Sequence, residues 1–104
     1  MPYLLRFIQK FQQSNQAEFL ELEKKFIQLE ESAAEFPKGK RYLPYAGREA
    51  SNTLIWECEF PSLLAVQDAL DLLNRDPCHA ALFQQQVQFF EESYVEIYQT
   101  FDGK

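Results

Sequence analysis

Cysteine, histidine and glycine are scarce in this sequence, with two, one and three copies among 104 residues. Cys58 and Cys78 do not form a CxxC pair, and His79 is the only histidine. Domains stabilised by several disulfides, and zinc-binding modules, need more cysteines or histidines than this chain has. Phosphate-cradling motifs need glycine-rich turns, which are also missing. We therefore expect two reduced, mostly buried thiols, no metal site and no cofactor.

Long apolar runs and clusters of basic residues are absent as well. No stretch approaches roughly 18 consecutive apolar residues, and the first residues lack the pattern of a signal peptide. The ten lysines and arginines are scattered, and the net charge of −6 repels phosphate backbones and anionic lipid surfaces. We therefore expect a cytoplasmic protein that binds neither nucleic acid nor membrane.

Aromatic residues, in contrast, are abundant, with ten phenylalanines, five tyrosines and one tryptophan. Hydrophobic residues make up 46% and charged residues 25% of the chain, which is typical of globular rather than disordered proteins. A chain of this length buries one core but not two, and no low-complexity segment suggests a linker. We expect residues 1–104 to form a single domain.

The first part of the chain predicts a strand followed by a long helix. Residues 3–11 alternate between two sides, which is the period of a strand with one buried face. Ser14 or Asn15 can cap the helix that follows. Apolar residues every three or four positions predict an amphipathic helix, ended by Pro37 and Gly39: Phe19, Leu22, Phe26, Leu29, Ala33 and Phe36. The acidic residues of this segment are interpreted as a solvated helix face without chemistry: Glu18, Glu21, Glu23, Glu30 and Glu31.

The remaining residues predict a hairpin, a divided helical region and a last strand. Residues 41–46 are extended, but Pro44 lacks the N–H that an interior strand donates, which places the segment at a sheet edge. Residues 52–60 alternate again as a third strand, and residues 94–101 alternate as a fourth. Between them, Ser62 caps one helix, and Asp76-Pro77 divides the helical region and starts another.

This βαββαβ order predicts an α+β fold of the ferredoxin-like class, with a four-stranded antiparallel sheet and helices on one face. If Trp56 and Cys58 face the helices, the opposite face carries a mixed set of side chains: Leu4, Arg6, Ile8, Lys10, Thr53, Ile55, Glu57, Glu59, Glu96 and Tyr98. One register step in the third strand would exchange the two faces. A sheet face that combines aliphatic side chains with charges of both signs fits a partly hydrated cavity or a dimer interface with internal ion pairs. We expect a homodimeric α/β barrel.

Two segments carry a resemblance to a known family. The run from Asn52 to Leu63, followed by Asp76-Pro77, and the opening Tyr3-Leu-Leu-Arg-Phe7 are similar in layout to NIPSNAP-type members of the dimeric α/β barrel superfamily. The resemblance implies a ferredoxin-like homodimer. The chain has Trp56 and Cys58 where that family usually shows His-x-Trp, and His79 where it places a tryptophan after Asp-Pro, so an activity carried by those residues does not transfer.

The related antibiotic-biosynthesis monooxygenase-like group suggests oxidation of a bound aromatic molecule or haem without a dedicated cofactor. Its haem-degrading branch uses an asparagine, a tryptophan and a histidine. This chain offers Asn15 or Asn52, Trp56 and His79 for these roles, at element positions that do not match that pattern.

Candidate ligand-binding residues lie on both sides of the predicted sheet. The mouth of a barrel that takes a small aromatic or acidic ligand would be lined by Tyr42, Tyr45, Tyr98 and Arg48, although edge-strand packing explains these residues equally well. Glu57 and Glu96 can act as acid or base, or can pair with a cation such as Arg6. His79 can act as a ligand or base at a helix start, or lie at the rim. The ligand-binding hypothesis therefore contains these seven residues: Arg6, Tyr45, Arg48, Glu57, Glu96, Tyr98 and His79.

Three classes of function remain open from the sequence. The first is a dimeric barrel that binds a small, partly aromatic molecule in a cavity between sheet and helices. The second is an enzyme, either a cofactor-independent monooxygenase or an isomerase-like proton shuttle, whose catalytic residues the sequence does not identify. The third is a purely structural dimerisation module, which would fill the same space with side chains. A titratable group inside a cavity favours the enzyme, whereas carboxylates saturated by arginine or lysine count against it.

Overall fold

A computed structural model describes residues 2–102, whose sheet and helices follow the predicted βαββαβ order. Two short 3-10 turns, Gln13–Asn15 and Val87–Phe89, precede the first helix and the last strand. The elements are β1 (Tyr3–Phe11), α1 (Gln16–Ser32), β2 (Lys40–Tyr42), β3 (Thr53–Phe60), α2 (Leu63–Arg75), α3 (Pro77–Gln86) and β4 (Phe90–Gln99). Within residues 2–102, none of the helices has both the length and the apolar character needed to cross a membrane.

The sheet has the order β2-β3-β1-β4, and every neighbouring pair of strands is antiparallel. Phe7 of β1 lies opposite Trp56 of β3 on one side and Val95 of β4 on the other. Residues in such a row share a face of the sheet. Trp56 packs in a buried cluster with Val66 of α2, so this row faces the helices. The predicted ferredoxin-like fold is confirmed, and the structure decides the face of Trp56, which the sequence left open.

Two buried clusters join the helices to the sheet. Leu5, Trp56 and Val66 form the first cluster, which holds α2 against β1 and β3. Phe11, Phe19 and Leu54 form the second, in which the rings of Phe11 and Phe19 stack with centroids 4.5 Å apart. Phe11 and Phe19 are fully buried, and burying side chains of this size contributes about 1.5–3 kcal/mol each. These clusters fix α1 and α2 over the centre of the sheet.

The caps that the sequence predicts for α2 and α3 are confirmed. The Ser62 hydroxyl accepts a hydrogen bond from the backbone N–H of Ala65 at 3.1 Å. The Asp76 carboxylate accepts one from the N–H of His79 at 2.9 Å, and Pro77 occupies the first helical position. Asn15 takes the cap position of α1, but its side chain donates to Glu18 instead of accepting from the backbone, so the side-chain cap expected there is wrong.

Several predicted boundaries are also wrong. Helix α1 ends at Ser32 because Ala33 is extended and the Lys38 ammonium donates to the terminal carbonyl of Ala33 at 2.7 Å. Phe36 is buried, but in the connection beyond that helix. Strand β2 is shorter than predicted and β4 starts earlier, at Phe90, where a register shift lets it pair with Phe11.

Cys78 is exposed, whereas Cys58 is half-buried, so only Cys58 approaches the buried state expected for both.

Candidate functional site

A cavity of about 470 Å³ lies between the helix-facing side of the sheet and the helices. Its walls include five aromatic side chains: Phe7, Phe26, Phe36, Trp56 and Phe83. The polar side chains that line it come from β1, α1, β2, α2, α3 and β4: Gln9, Glu23, Glu30, Arg41, Asn74, His79, Gln84, Gln86 and Ser93. Pockets for small molecules typically combine this size, apolar walls and a few placed polar groups. This cavity is therefore the candidate functional site.

The polar end of the cavity is an ionic cluster of Glu23, Glu30 and Arg41. The Arg41 guanidinium donates from Nε to Glu23 Oε2 at 2.6 Å, and its two other nitrogens donate to the Glu30 carboxylate. The three side chains are only 9–14% exposed. Burial alone would lower the pKa of Arg41, but its hydrogen bonds to Glu30 and the charge of Glu23 outweigh burial and raise the pKa above its ordinary value. Arg41 is therefore a fixed cation.

Further donors hold the two carboxylates in place. Gln86 Nε2 donates to Glu23 Oε1 at 2.8 Å. The Gly39 N–H donates to Glu30 Oε1 at 3.2 Å, and Trp56 Nε1 donates to the same oxygen at 3.4 Å. A Cβ atom at Gly39 would overlap the indole of Trp56, so only glycine allows this close approach. The cluster therefore ties α1, β2, β3 and α3 together at one end of the cavity.

His79 lines the same cavity from the first turn of α3. Its ring lies 5.0 Å from the ring of Phe26, centroid to centroid. Burial lowers the pKa of His79 below its ordinary value, although the charges of Asp76 and Glu30 oppose that effect. His79 is therefore a neutral imidazole at neutral pH, able to accept a proton from a bound molecule.

Glu23 and Glu30 are the residues that sequence reasoning misplaced. The solvated helix face predicted for them is wrong, because Glu23 is buried and Glu30 is largely enclosed. Their positions carried a signal, because the steps from Phe19 to Glu23, Phe26 and Glu30 are four, three and four residues, which is the spacing of the buried stripe. The cation that neutralises them comes from β2, and helix periodicity cannot show that.

Four of the predicted ligand-binding residues meet on the other face of the sheet, which we call the open face. Arg6 donates from Nε to Glu57 at 2.8 Å and from Nη1 to Glu96 at 2.9 Å and to the Tyr98 hydroxyl at 3.1 Å. Tyr98 in turn donates to Glu96 at 2.7 Å. Burial alone would lower the pKa of Arg6, but the hydrogen bonds to Glu57 and Tyr98 raise it. Both carboxylates are paired, as the alternative interpretation of Glu57 and Glu96 expected.

The remaining predicted residues lie elsewhere. Tyr45 is fully exposed and Arg48 is exposed, both in the connection between β2 and β3. His79 is on the helix side, so the sheet separates it from the Arg6 group. Of the seven residues in the ligand-binding hypothesis, only His79 lines the cavity.

The connection between β2 and β3, residues 43–52, covers part of the open face. The Tyr94 hydroxyl on β4 lies 2.9 and 2.8 Å from the two carboxylate oxygens of Glu49. Ile55, Ile8 and Tyr94 form one row across β3, β1 and β4, so the connection passes over both isoleucines. Ile8 and Ile55 are accordingly buried, which leaves the Arg6 end of this face open.

The residues considered for haem chemistry do not all meet. Trp56 and His79 both line the cavity. The Asn52 side chain donates to the backbone carbonyl of Phe11 at 2.7 Å, and that of Asn15 donates to Glu18 at 2.8 Å. Throughout residues 2–102, no three side chains of His, Cys, Asp or Glu come together in an arrangement that could hold a metal ion.

Comparison with known proteins finds similar structures but no similar sequences. No protein-family model and no curated protein matches this chain. A NIPSNAP family protein from Agrobacterium tumefaciens superposes with a TM-score of 0.79 at 15% identity, covering 99% of this chain and 96% of its own. An uncharacterised NIPSNAP domain protein from Burkholderia xenovorans gives 0.77 at 12% identity, with 100% and 98% covered.

A more distant likeness is to a putative antibiotic biosynthesis monooxygenase from Nitrosomonas europaea. Its TM-score is 0.71 at 7% identity, covering 98% of this chain and 92% of that one. At such identities the likeness establishes the fold alone. The NIPSNAP-like, ferredoxin-like fold expected from the sequence is thereby confirmed.

Proposed function

We propose that this chain is a NIPSNAP-like protein that binds a small, partly aromatic molecule in the cavity between its sheet and helices. The observation that carries the proposal is the cavity itself, about 470 Å³ in volume, with five aromatic walls and one polar end. A purely structural module gains nothing from such a space, because side chains that filled it would bury more apolar surface and add stability. Aromatic walls offer stacking contacts to a flat ligand, and the polar end fixes its orientation.

Ligand-observed saturation-transfer NMR with neutral aromatic probes such as 2-phenylethanol tests this proposal. Ala80 lines the cavity and Ala81, beside it on α3, does not. We expect Ala80→Phe to fill the cavity and abolish the signal, and Ala81→Phe, the matched control, to leave it unchanged. If no small aromatic probe binds, whether neutral or charged, or if both variants weaken binding equally, the cavity is not the binding site.

We also propose that two copies pair through the Arg6 end of the open face. The side chains of Arg6, Glu57 and Glu96 are 20–34% exposed there, next to Leu4 and the exposed Tyr98. Burial against a second copy would exclude water from these groups while their ion pairs stay intact. Location in the reducing cytoplasm is part of the same proposal, and it agrees with two free thiols.

Sedimentation equilibrium at micromolar concentration tests the pairing. We expect a dimer that Leu4→Asp dissociates, because this change places a new charge in the interface. Leu64→Asp, at an exposed position on α2, is the control and should remain a dimer. A monomeric wild-type protein would exclude the barrel.

His79 favours a second candidate, an isomerase-like or cofactor-independent oxidative enzyme. It is a neutral base inside the cavity, and general bases in enzymes are commonly placed this way. A carbonyl probe such as 1-phenylpropan-2-one in heavy water reports proton abstraction by deuterium incorporation. We expect His79→Gln to remove any exchange above the buffer rate, and no exchange with the wild type would refute this candidate.

A further inference from the structure

We propose that the ligand of this cavity is a small organic cation, an ammonium group on an aromatic or aliphatic body, rather than a neutral or anionic aromatic molecule. This inference rests on the proposed function and names the chemical class that the cavity selects. It follows from the charge of the polar end, the enclosure of that charge, and the nature of the walls.

The charges around the cavity do not balance. Four ionisable side chains line it within residues 2–102: Glu23, Glu30, Arg41 and His79. Arg41 is a fixed cation, and His79 is neutral at neutral pH because burial disfavours its charged form. Two carboxylates therefore share one guanidinium, and the cluster keeps one negative charge that no cation lining the cavity balances.

The next cation along the chain does not supply the missing charge. Lys38 directs its ammonium to backbone carbonyls at the end of α1, those of Glu30, Ala33 and Phe36. Cations are favoured at that position because helix carbonyls there carry partial negative charge. Lys38 thus neutralises the helix end and donates to neither carboxylate of the cluster.

Enclosure makes the unbalanced charge costly. The Glu23 and Glu30 side chains are 9% and 13% exposed, so bulk water compensates little of their charge. An unneutralised carboxylate in such a place is unfavourable, whereas a carboxylate paired with a hydrogen-bonded cation is much less so. A bound ammonium would restore neutrality and donate to the carboxylate oxygens.

The walls suit a cation as well. Phe7 and Trp56 stack with centroids 5.0 Å apart, and Trp56 directs its N–H to Glu30. Aromatic faces attract ammonium groups through their quadrupoles, more strongly when water is excluded. An aromatic carboxylate, in contrast, would meet two like charges and an arginine already engaged by both. The formal net charge of −6 adds a long-range attraction for cations.

Three probes of nearly equal shape separate the alternatives: 2-phenylethylamine, 2-phenylethanol and phenylacetate, which are cationic, neutral and anionic near neutral pH. Binding is measured by calorimetry and by the fluorescence of Trp56, the only tryptophan. We expect the amine to bind about tenfold or more tightly than the alcohol, a modest gain for one enclosed charge pair, and phenylacetate to bind most weakly.

The outcomes distinguish this inference from the proposed function. If the alcohol or phenylacetate binds as tightly as the amine, the cation inference is wrong and the aromatic-binding proposal stands. If the amine alone binds, the inference holds and the neutral ligand class is excluded. If none of the three binds, both proposals fail.

Glu23→Gln makes the cluster neutral while keeping its shape, and we expect the preference for amine over alcohol to disappear. Glu21→Gln, on the exposed face of the same helix, is the matched control and should keep the preference. If Glu23→Gln does not fold, the wild-type preference is measured from about 0.1 M to about 1 M salt, where the Debye length falls from about 10 Å to about 3 Å. A preference that persists supports an enclosed pair, and one that vanishes assigns it to surface charge and overturns the inference.

Discussion

Replacing Arg41 by methionine tests the ionic cluster most directly. Methionine retains the aliphatic part of the side chain, so packing changes little, but the two carboxylates lose their shared cation. Glu23 would then keep the donor from Gln86, and Glu30 would keep the N–H groups of Gly39 and Trp56. Neither set of donors carries a positive charge, so both carboxylates would be enclosed without a counter-ion.

The expected size of the effect follows from burial. Breaking a buried ion pair by removing one partner costs about 3–5 kcal/mol, because a charge is left without compensation. The three side chains retain 9–14% of their exposure, so water recovers part of that loss and we expect Arg41→Met to lose about 2–4 kcal/mol. The measurement is urea unfolding followed by far-ultraviolet circular dichroism, which does not depend on the environment of Trp56.

Lys24 provides the control for this prediction. Its ammonium lies 2.9 Å from Glu21, a distance close to the 2.6 Å between Arg41 and Glu23, but both partners are more than 60% exposed. We expect Lys24→Met to change the free energy of unfolding by about 0.5 kcal/mol or less, since exposed pairs contribute little. Equal losses for Arg41→Met and Lys24→Met would refute the reasoning. Adding Glu23→Gln to Arg41→Met should recover part of the lost stability, because it removes one of the two uncompensated charges and leaves the other at Glu30.

Further predictions concern individual contacts. Gly39→Ala should displace the indole of Trp56, shifting its fluorescence and lowering stability by about 1–3 kcal/mol; an unchanged spectrum would contradict the close approach. The hydrogen bond with Glu49 raises the pKa of Tyr94 to about 12. Because the folded pKa is raised, the stabilisation is complete below the ordinary value of 10 and is lost as pH rises through about 12, so Glu49→Gln should return one tyrosine toward 10 in a spectrophotometric titration. A thiol reagent should modify exposed Cys78 first, since burial raises the pKa of the other thiol; a fast phase that survives Cys78→Ser would refute this.

The contrast between prediction and structure is clearest in helix α1. Its apolar stripe predicted correctly that Phe19, Leu22 and Phe26 are buried, because a helix repeats every 3.6 residues whatever surrounds it. The same stripe passes through Glu23, but this residue was predicted to be exposed because glutamate is charged. The helix end was placed too late because Phe36 continues the period, although the chain has already left the helix at Ala33.

The sequence by itself determined the order of strands and helices and the caps at Ser62 and Asp76, because alternation and capping depend on residues close together in the chain. The face of Trp56 was decided by the tertiary structure, since alternation does not show which side of a strand the helices cover. Only the tertiary structure decided where the charges pair. Arg41 is separated in sequence from Glu23 by 18 residues and from Glu30 by 11, and the position of β2 beside α1 brings them together. Arg6 is separated from Glu96 by 90 residues, and the pairing of β1 with β4 brings these two together. Such contacts depend on how whole elements are placed, and no local period encodes that.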